Sequence, residues 1–242
     1  MVERLRPLRL LAFPVWPRPR PSMLHPHHGQ AEAVARITWL IGERAIGVVT
    51  GEVGAGKTVA ARAATSAMDP VRHTIIYLAN PLVGQRGIYA EIARTLGQTP
   101  RYLKAALVAQ AAELLSAEHA EKAKTSVLII DEAHLLTGEQ FEEIRMLTNH
   151  DMDAHSPFAC LLLGQPTVRR RLKIGTLAAL DQRVALRFNL DGMDLQETVS
   201  YVSTTSSSPA AATRCSATTP SAWSTRPAAA SPEPSTTWRS RP

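Results

Sequence analysis

With 242 residues, 45% hydrophobic content and two cysteines far apart, the chain has room for one sizeable α/β domain with a small lid, and it lacks the cysteine density of a disulfide framework. Its net charge of +6 invites a nucleic-acid reading, but five Arg and one Glu fall in residues 1–21 and four Arg and one Glu in residues 203–242, leaving 18 basic against 19 acidic residues between them. The basicity belongs to the two ends, so the high isoelectric point carries no argument for a DNA surface on the middle of the chain.

Taken in order, the first apolar stretch is "LRLLAFPVW", cut by Arg9 and Pro14 and followed by "PRPRP". It is too short and too interrupted for a signal peptide or a bilayer span. With the reduced-compartment cysteine usage, this predicts a cytoplasmic protein without a membrane segment. His25, His27 and His28 follow in "MLHPHHGQ"; without Cys or acidic partners at ligand spacing they read as a polar lead-in, not a metal site.

From Gln30 to about Leu190 helical and β patterns alternate. "QAEAVARITWLIGER" puts Ala33, Ile37, Leu40 and Ile41 on one side of a helix, and "AIGVVT" is a short β-branched run ending in a glycine loop. The spacing then predicts a helix over 56–68, a strand over 74–79, helices over 86–97 and 101–122, and a strand over 126–131. A helix over 138–149, a strand over 158–163, a helical stretch over 167–180 and a strand over 184–190 follow. Five apolar strands separated by helices imply a mostly parallel sheet covered on both faces.

Gly51-Glu52-Val53-Gly54-Ala55-Gly56-Lys57-Thr58 matches G-x-x-x-x-G-K-[ST] directly after a strand and at a helix start, the context a phosphate loop requires. The glycines let successive backbone N–H groups converge on phosphate oxygens, and the helix N-terminus adds its positive dipole end. Lys57 is then expected to reach the β and γ phosphates, and the Thr58 hydroxyl to hold Mg²⁺. A glycine turn that binds nothing is the bland alternative. "VLIIDEAH", Val127 to His134, ends an apolar run with two carboxylates. Asp131 is expected to face the Mg²⁺, and Glu132 to orient and deprotonate an attacking water, which points to hydrolysis. A solvated acidic pair opening a helix is the alternative. The DEAH string is also that of helicases, but those need two such domains, whereas the chain has one phosphate loop.

These residues resemble the AAA+ ATPases, and within them the transposition helpers (TniB, IstB and MuB-like) together with the ExeA-like secretion ATPases. The resemblance covers about residues 22–202 and rests on "GVVTGEVGAGKT", "VLIIDEAHLL", "IRMLTNHDMD", "LLLGQP" and "LAALDQRVALRF". It implies a three-layer P-loop AAA+ core that binds ATP and Mg²⁺, self-assembles into an oligomer, and acts with DNA and a transposase. By the resemblance, Gln165 is a sensor of the γ-phosphate or the water. Arg183 is an arginine finger offered to a neighbouring subunit's nucleotide, and Asn80 restrains Glu132. A capping Gln, a surface ion-pair Arg and a turn Asn are the plainer readings of the three. "RRRLK", Arg169 to Lys173, is the one basic cluster of the middle; contact with a DNA backbone and a solvated helix face account for it equally.

The family's lid resembles a helix pair carrying a G-x-P-R-x-[VI]-N-N-L segment, and nothing after Tyr201 matches it. Reading each new codon as the third base of one codon and the first two of the next permits, from Ala212 onward, a string containing that motif: Pro232-Glu233 permits Pro-Arg, and Trp238 permits Leu at the needed spacing. The opposite shift at residues 8–20 permits Y-G-F-x-x-x-P-F-G-x-D-L-x, like the family's usual opening, and the normal frame resumes by Ser22. The expected organisation is therefore an out-of-frame segment 1–21, an ATPase core 22–190, the start of a lid 191–202, and an out-of-frame tail 203–242 whose low apolar content predicts disorder. A helical lid that is largely missing predicts a protein that binds ATP and hydrolyses it poorly. Three functions compete: a transposition helper of a mobile element, an ExeA-like ATPase of secretion or envelope assembly, and a remnant without a functional product.

Overall fold

The computed structural model describes residues 28–149, 156–193 and 197–198. The expectations for residues 1–21 and 203–242, and for His25 and His27, lie outside the described residues.

Five strands form one sheet in the order β2-β3-β4-β1-β5: β1 Ile46–Thr50, β2 His73–Leu78, β3 Thr125–Ile130, β4 Phe158–Gly164 and β5 Val184–Asn189. All four pairings are parallel, so the sheet is wholly rather than mostly parallel. α1 His28–Gly42 precedes the first strand; parallel neighbours need crossovers, and the other helices supply them: α2 Lys57–Ser66, α3 Gly84–Thr95, α4 Lys104–Ala120, α5 Gly138–Leu147, α6 Thr167–Leu172 and α7 Ala178–Arg183.

The strands read as nearly unbroken apolar runs because both faces are covered, and each face takes alternate residues. In β4, Phe158, Cys160 and Leu162 join a core with Ile88, Tyr89 and Ile92 of α3, Leu107 of α4 and Phe141 and Ile144 of α5. Ala159, Leu161 and Leu163 face the other way, onto Ala33, Ile37, Leu40 and Ile41 of α1 and Ala60, Ala61 and Ala64 of α2. The helical residues singled out in "QAEAVARITWLIGER" are thus the buried stripe of α1. Burial pushes the Cys160 thiol up to about 12, so it packs as a small apolar group.

One element differs in kind. The helical stretch expected over 167–180 is two helices, α6 and α7, separated by Ile174 in extended conformation (φ −70°, ψ 134°) and a short 3-10 turn Gly175–Leu177. Val168, Leu172, Leu177 and Leu180 would spread over about half the circumference of one helix, and all four are buried because the chain turns at Lys173–Gly175. Elsewhere the elements end within about two or three residues of the expected positions, where capping decides. Thr137 closes a capping box with Gln140 that starts α5 at Gly138.

Candidate functional site

The sheet order sets β1 between β4 and β5, and β3 on the far side of β4. The segments leaving β1, β3 and β4 at their C-terminal ends therefore sit side by side, where open parallel sheets receive ligands. Those segments are the phosphate loop, the Asp131–Glu132 pair and Gln165.

The loop leaves β1 at Gly51, whose N–H donates to Gly164 O of β4 at 3.2 Å. Gly54 and Gly56 take φ 86° and 89°, values a side chain resists, and they fold the loop back so that α2 begins at Lys57. The first turn of α2 is thereby aimed into the concavity. Lys57 is 9% exposed, and its ammonium donates to Gly51 O at 2.9 Å and Glu52 O at 2.8 Å, lying across the loop's own carbonyls.

Asp131 follows β3 directly and is buried. Its Oδ2 accepts from Thr58 Oγ1 at 2.8 Å and from Tyr77 Oη at 2.8 Å, while Oδ1 accepts from the Glu132 N–H at 2.9 Å. A hydroxyl and a carboxylate oxygen within hydrogen-bond contact are hard oxygen donors of the type Mg²⁺ selects, so Thr58 and Asp131 fit that ion. Tyr77, on β2 opposite Ile129, was not foreseen. Its phenol is held above the ordinary range by burial and then by the bond to Asp131, and so remains a donor.

Glu132 sits in a left-handed backbone conformation, φ 51° and ψ 38°, a placement that a non-glycine residue holds only where surrounding structure imposes it. Its side chain is half exposed. Together with Gln165 and Val53, Gly54, Gly56, Lys57 and Thr58, it lines one pocket of about 260 Å³. A second unforeseen neighbour is Gln30: a Cβ on Gly56 would lie 3.4 Å from its Nε2, so α1 brings an amide to the loop. Nothing in sequence marks a glutamine at the start of a helix, whereas a tyrosine in the strand pairing with the acid-bearing one was a usable signal.

The remaining sequence candidates lie as follows. Asn80 leaves β2 and its Oδ1 accepts from Leu82 N at 2.9 Å, capping the short turn Pro81–Val83. Arg183 ends α7 and donates to Thr148 Oγ1 and Asn149 Oδ1, both at 3.2 Å. It precedes Val184, which pairs with Ile46 at the entry of β1, so the five residues of β1 separate it from the phosphate loop by about 16 Å along the strand. Arg183 therefore stands at the opposite end of the sheet from its own chain's loop. In "RRRLK", Arg169, Arg170 and Lys173 are exposed. Arg171 turns inward, donating to His134 O at 2.8 Å with its guanidinium 5.3 Å from the Phe141 ring centre. No helix among the described residues is long and apolar enough to cross a membrane.

Residues 41–172 match the family described as "AAA domain". General secretion pathway protein A of Aeromonas hydrophila is 31% identical over 195 residues, which are 78% of this chain and 35% of that protein. The chain thus spans about a third of that relative's length. Two solved structures share the fold. Cdc6p from Pyrobaculum aerophilum gives a TM-score of 0.55 at 19% identity, covering 74% of this chain and 49% of that one. The Aeropyrum pernix ORC1 protein in complex with DNA gives 0.55 at 14% identity, covering 76% and 52%.

Proposed function

Because the chain belongs to the AAA domain family of P-loop ATPases, we propose that it binds ATP with Mg²⁺ at Gly51–Thr58 and hydrolyses it with Glu132 as base, as a DNA-transposition helper of the TniB/IstB/MuB-like kind. The observation that carries the ATPase reading is the single pocket shared by the phosphate loop, Glu132 and Gln165. In this reading the loop N–H groups and Lys57 hold the phosphates, and Lys57 exchanges its bonds to Gly51 O and Glu52 O for phosphate oxygens. Thr58 and Asp131 hold Mg²⁺, which supplies charge neutralisation to the β and γ phosphates. Glu132 takes the proton of the water that attacks the γ-phosphorus, the bond to the β-bridging oxygen breaks, and ADP and phosphate leave. Gln165 contacts the γ-phosphate or the water. Asn80 restrains Glu132 after giving up its cap on Leu82. We place the ATPase core at 22–190 and the protein in the cytoplasm.

The position of Arg183 supports the reading of a self-assembling protein. An arginine about 16 Å from its own loop is too far to act in its own chain's phosphoryl transfer, and in this reading it serves a neighbour's after exchanging its bonds to Thr148 and Asn149. Arg183→Ala should therefore lower turnover and leave the ATP affinity of the monomer unchanged. Mixing it with Glu132→Gln protein should recover part of the activity, since some interfaces then pair an intact base with an intact arginine. Mixtures that recover nothing would assign Arg183 to a structural role within its own chain, where it bonds Thr148 and Asn149.

The 31% identity to a general secretion pathway protein favours a second reading, an ATPase of secretion or envelope assembly. DNA separates the two. The transposition reading expects ATP-dependent binding of a fluorescently labelled duplex, weakened at all sequences and made less salt-sensitive by Arg169→Ala with Arg170→Ala. Polarisation unchanged by the protein with and without ATP would reject the transposition role.

A further inference from the structure

His134, in the turn Ala133–Leu135, has a buried Nδ1 with no hydrogen-bond partner among the described residues. The Glu132 Oε2 stands 3.2 Å away, close enough for a charge contact but not aligned as a hydrogen bond. Buried polar nitrogens are nearly always paired, so a lone unmatched one beside a candidate base calls for a physical account.

The backbone of His134 is held from two sides. Arg171, itself stacked on Phe141, donates to His134 O at 2.8 Å. The end of β4 presses on the same turn: a Cβ at Gly164 would lie 3.1 Å from His134 N and 3.5 Å from Ala133 N. The His134 side chain is 17% exposed and that of Glu132 is 52% exposed, so the imidazole is the more enclosed of the two.

We propose that His134 is a positioning residue for Glu132: its Nδ1–H donates to Oε2 and thereby turns Oε1 toward the water in the pocket. Arg171 holds the His134 backbone in place, which gives the one inward-facing member of the basic run a part in the site. The proposal rests on the reading of Glu132 as the base. An imidazole tethered from behind by packing suits this task, because a half-exposed carboxylate otherwise samples several rotamers of which few address the water.

Two variants and one spectrum test it in the full chain. His134→Phe keeps a ring and removes the donor, whereas His134→Asn places an amide N–H near the position of Nδ1. The expected result is a kcat lower by about tenfold in His134→Phe, the equivalent of one hydrogen bond. KM for ATP should stay within about twofold, the melting temperature should hold, and most of kcat should return in His134→Asn. Wild-type kcat in His134→Phe, or equal losses in both variants, overturns the proposal. Imidazole ¹⁵N spectra need no turnover: His134 should show the Nδ1–H tautomer, and Glu132→Ala should shift it. An unchanged tautomer in Glu132→Ala overturns the proposal, whereas a shifted tautomer in a chain that does not hydrolyse ATP would leave the contact standing and reject the ATPase reading.

Discussion

Glu132→Gln is expected to bind ATP as the wild type does and to release phosphate more slowly by on the order of 10²-fold or more. Gln is isosteric with Glu and can still hold a water by hydrogen bonding, but its amide does not accept the water's proton. The substitution leaves the rest of the constellation in place. The Glu132 N–H bond to Asp131 Oδ1 is a backbone bond and survives, as do the bonds from Thr58 and Tyr77 to Oδ2. Only the contact between Oε2 and His134 Nδ1 changes character. Nucleotide affinity and single-turnover phosphate release should therefore separate. Unchanged release in the variant would move the base to another group in the pocket.

Lys57→Ala acts one step earlier and should remove measurable ATP binding. A buried ammonium facing phosphate oxygens makes charge-assisted bonds worth about 1.5–3 kcal/mol each, so loss of contacts to two phosphates weakens affinity by roughly 100-fold or more. The loop also loses the donor that satisfies Gly51 O and Glu52 O, although the positive φ of Gly54 and Gly56 and the Gly51 N–H bond to Gly164 O still define its path. Calorimetry on wild type and variant, with melting curves to establish folding, reads the difference. Equal affinities would remove Lys57 from the phosphate site.

Much of this was legible in residues because the chemistry is local. A glycine loop between a strand and a helix is written in eight consecutive positions, and an acid pair closing an apolar run is written in "VLIIDEAH". The five parallel strands were legible because burial on both faces leaves continuous apolar runs, as in β3 and β4. What the sequence hid was long-range placement. Gln30 precedes Gly56 by a whole helix and strand, and only the packing of α1 against α2 brings it to the loop. The bond from Tyr77 to Asp131 depends on the parallel register that sets Tyr77 opposite Ile129. The inward turn of Arg171 out of "RRRLK" is set by its bond to His134 O, 37 positions earlier in the chain. Asn80 shows the converse: the plain turn reading of that residue matches the bond its side chain makes to Leu82 N.

We propose above that Gly51–Thr58 with Asp131 forms a Mg²⁺-dependent ATP site. Its most direct test is calorimetric titration of ATP into the full chain, once with Mg²⁺ and once with the ion removed by chelation. The account predicts saturable binding of one nucleotide per chain with Mg²⁺ and much weaker binding without it. Heats equal to dilution in both titrations of the folded protein would contradict it.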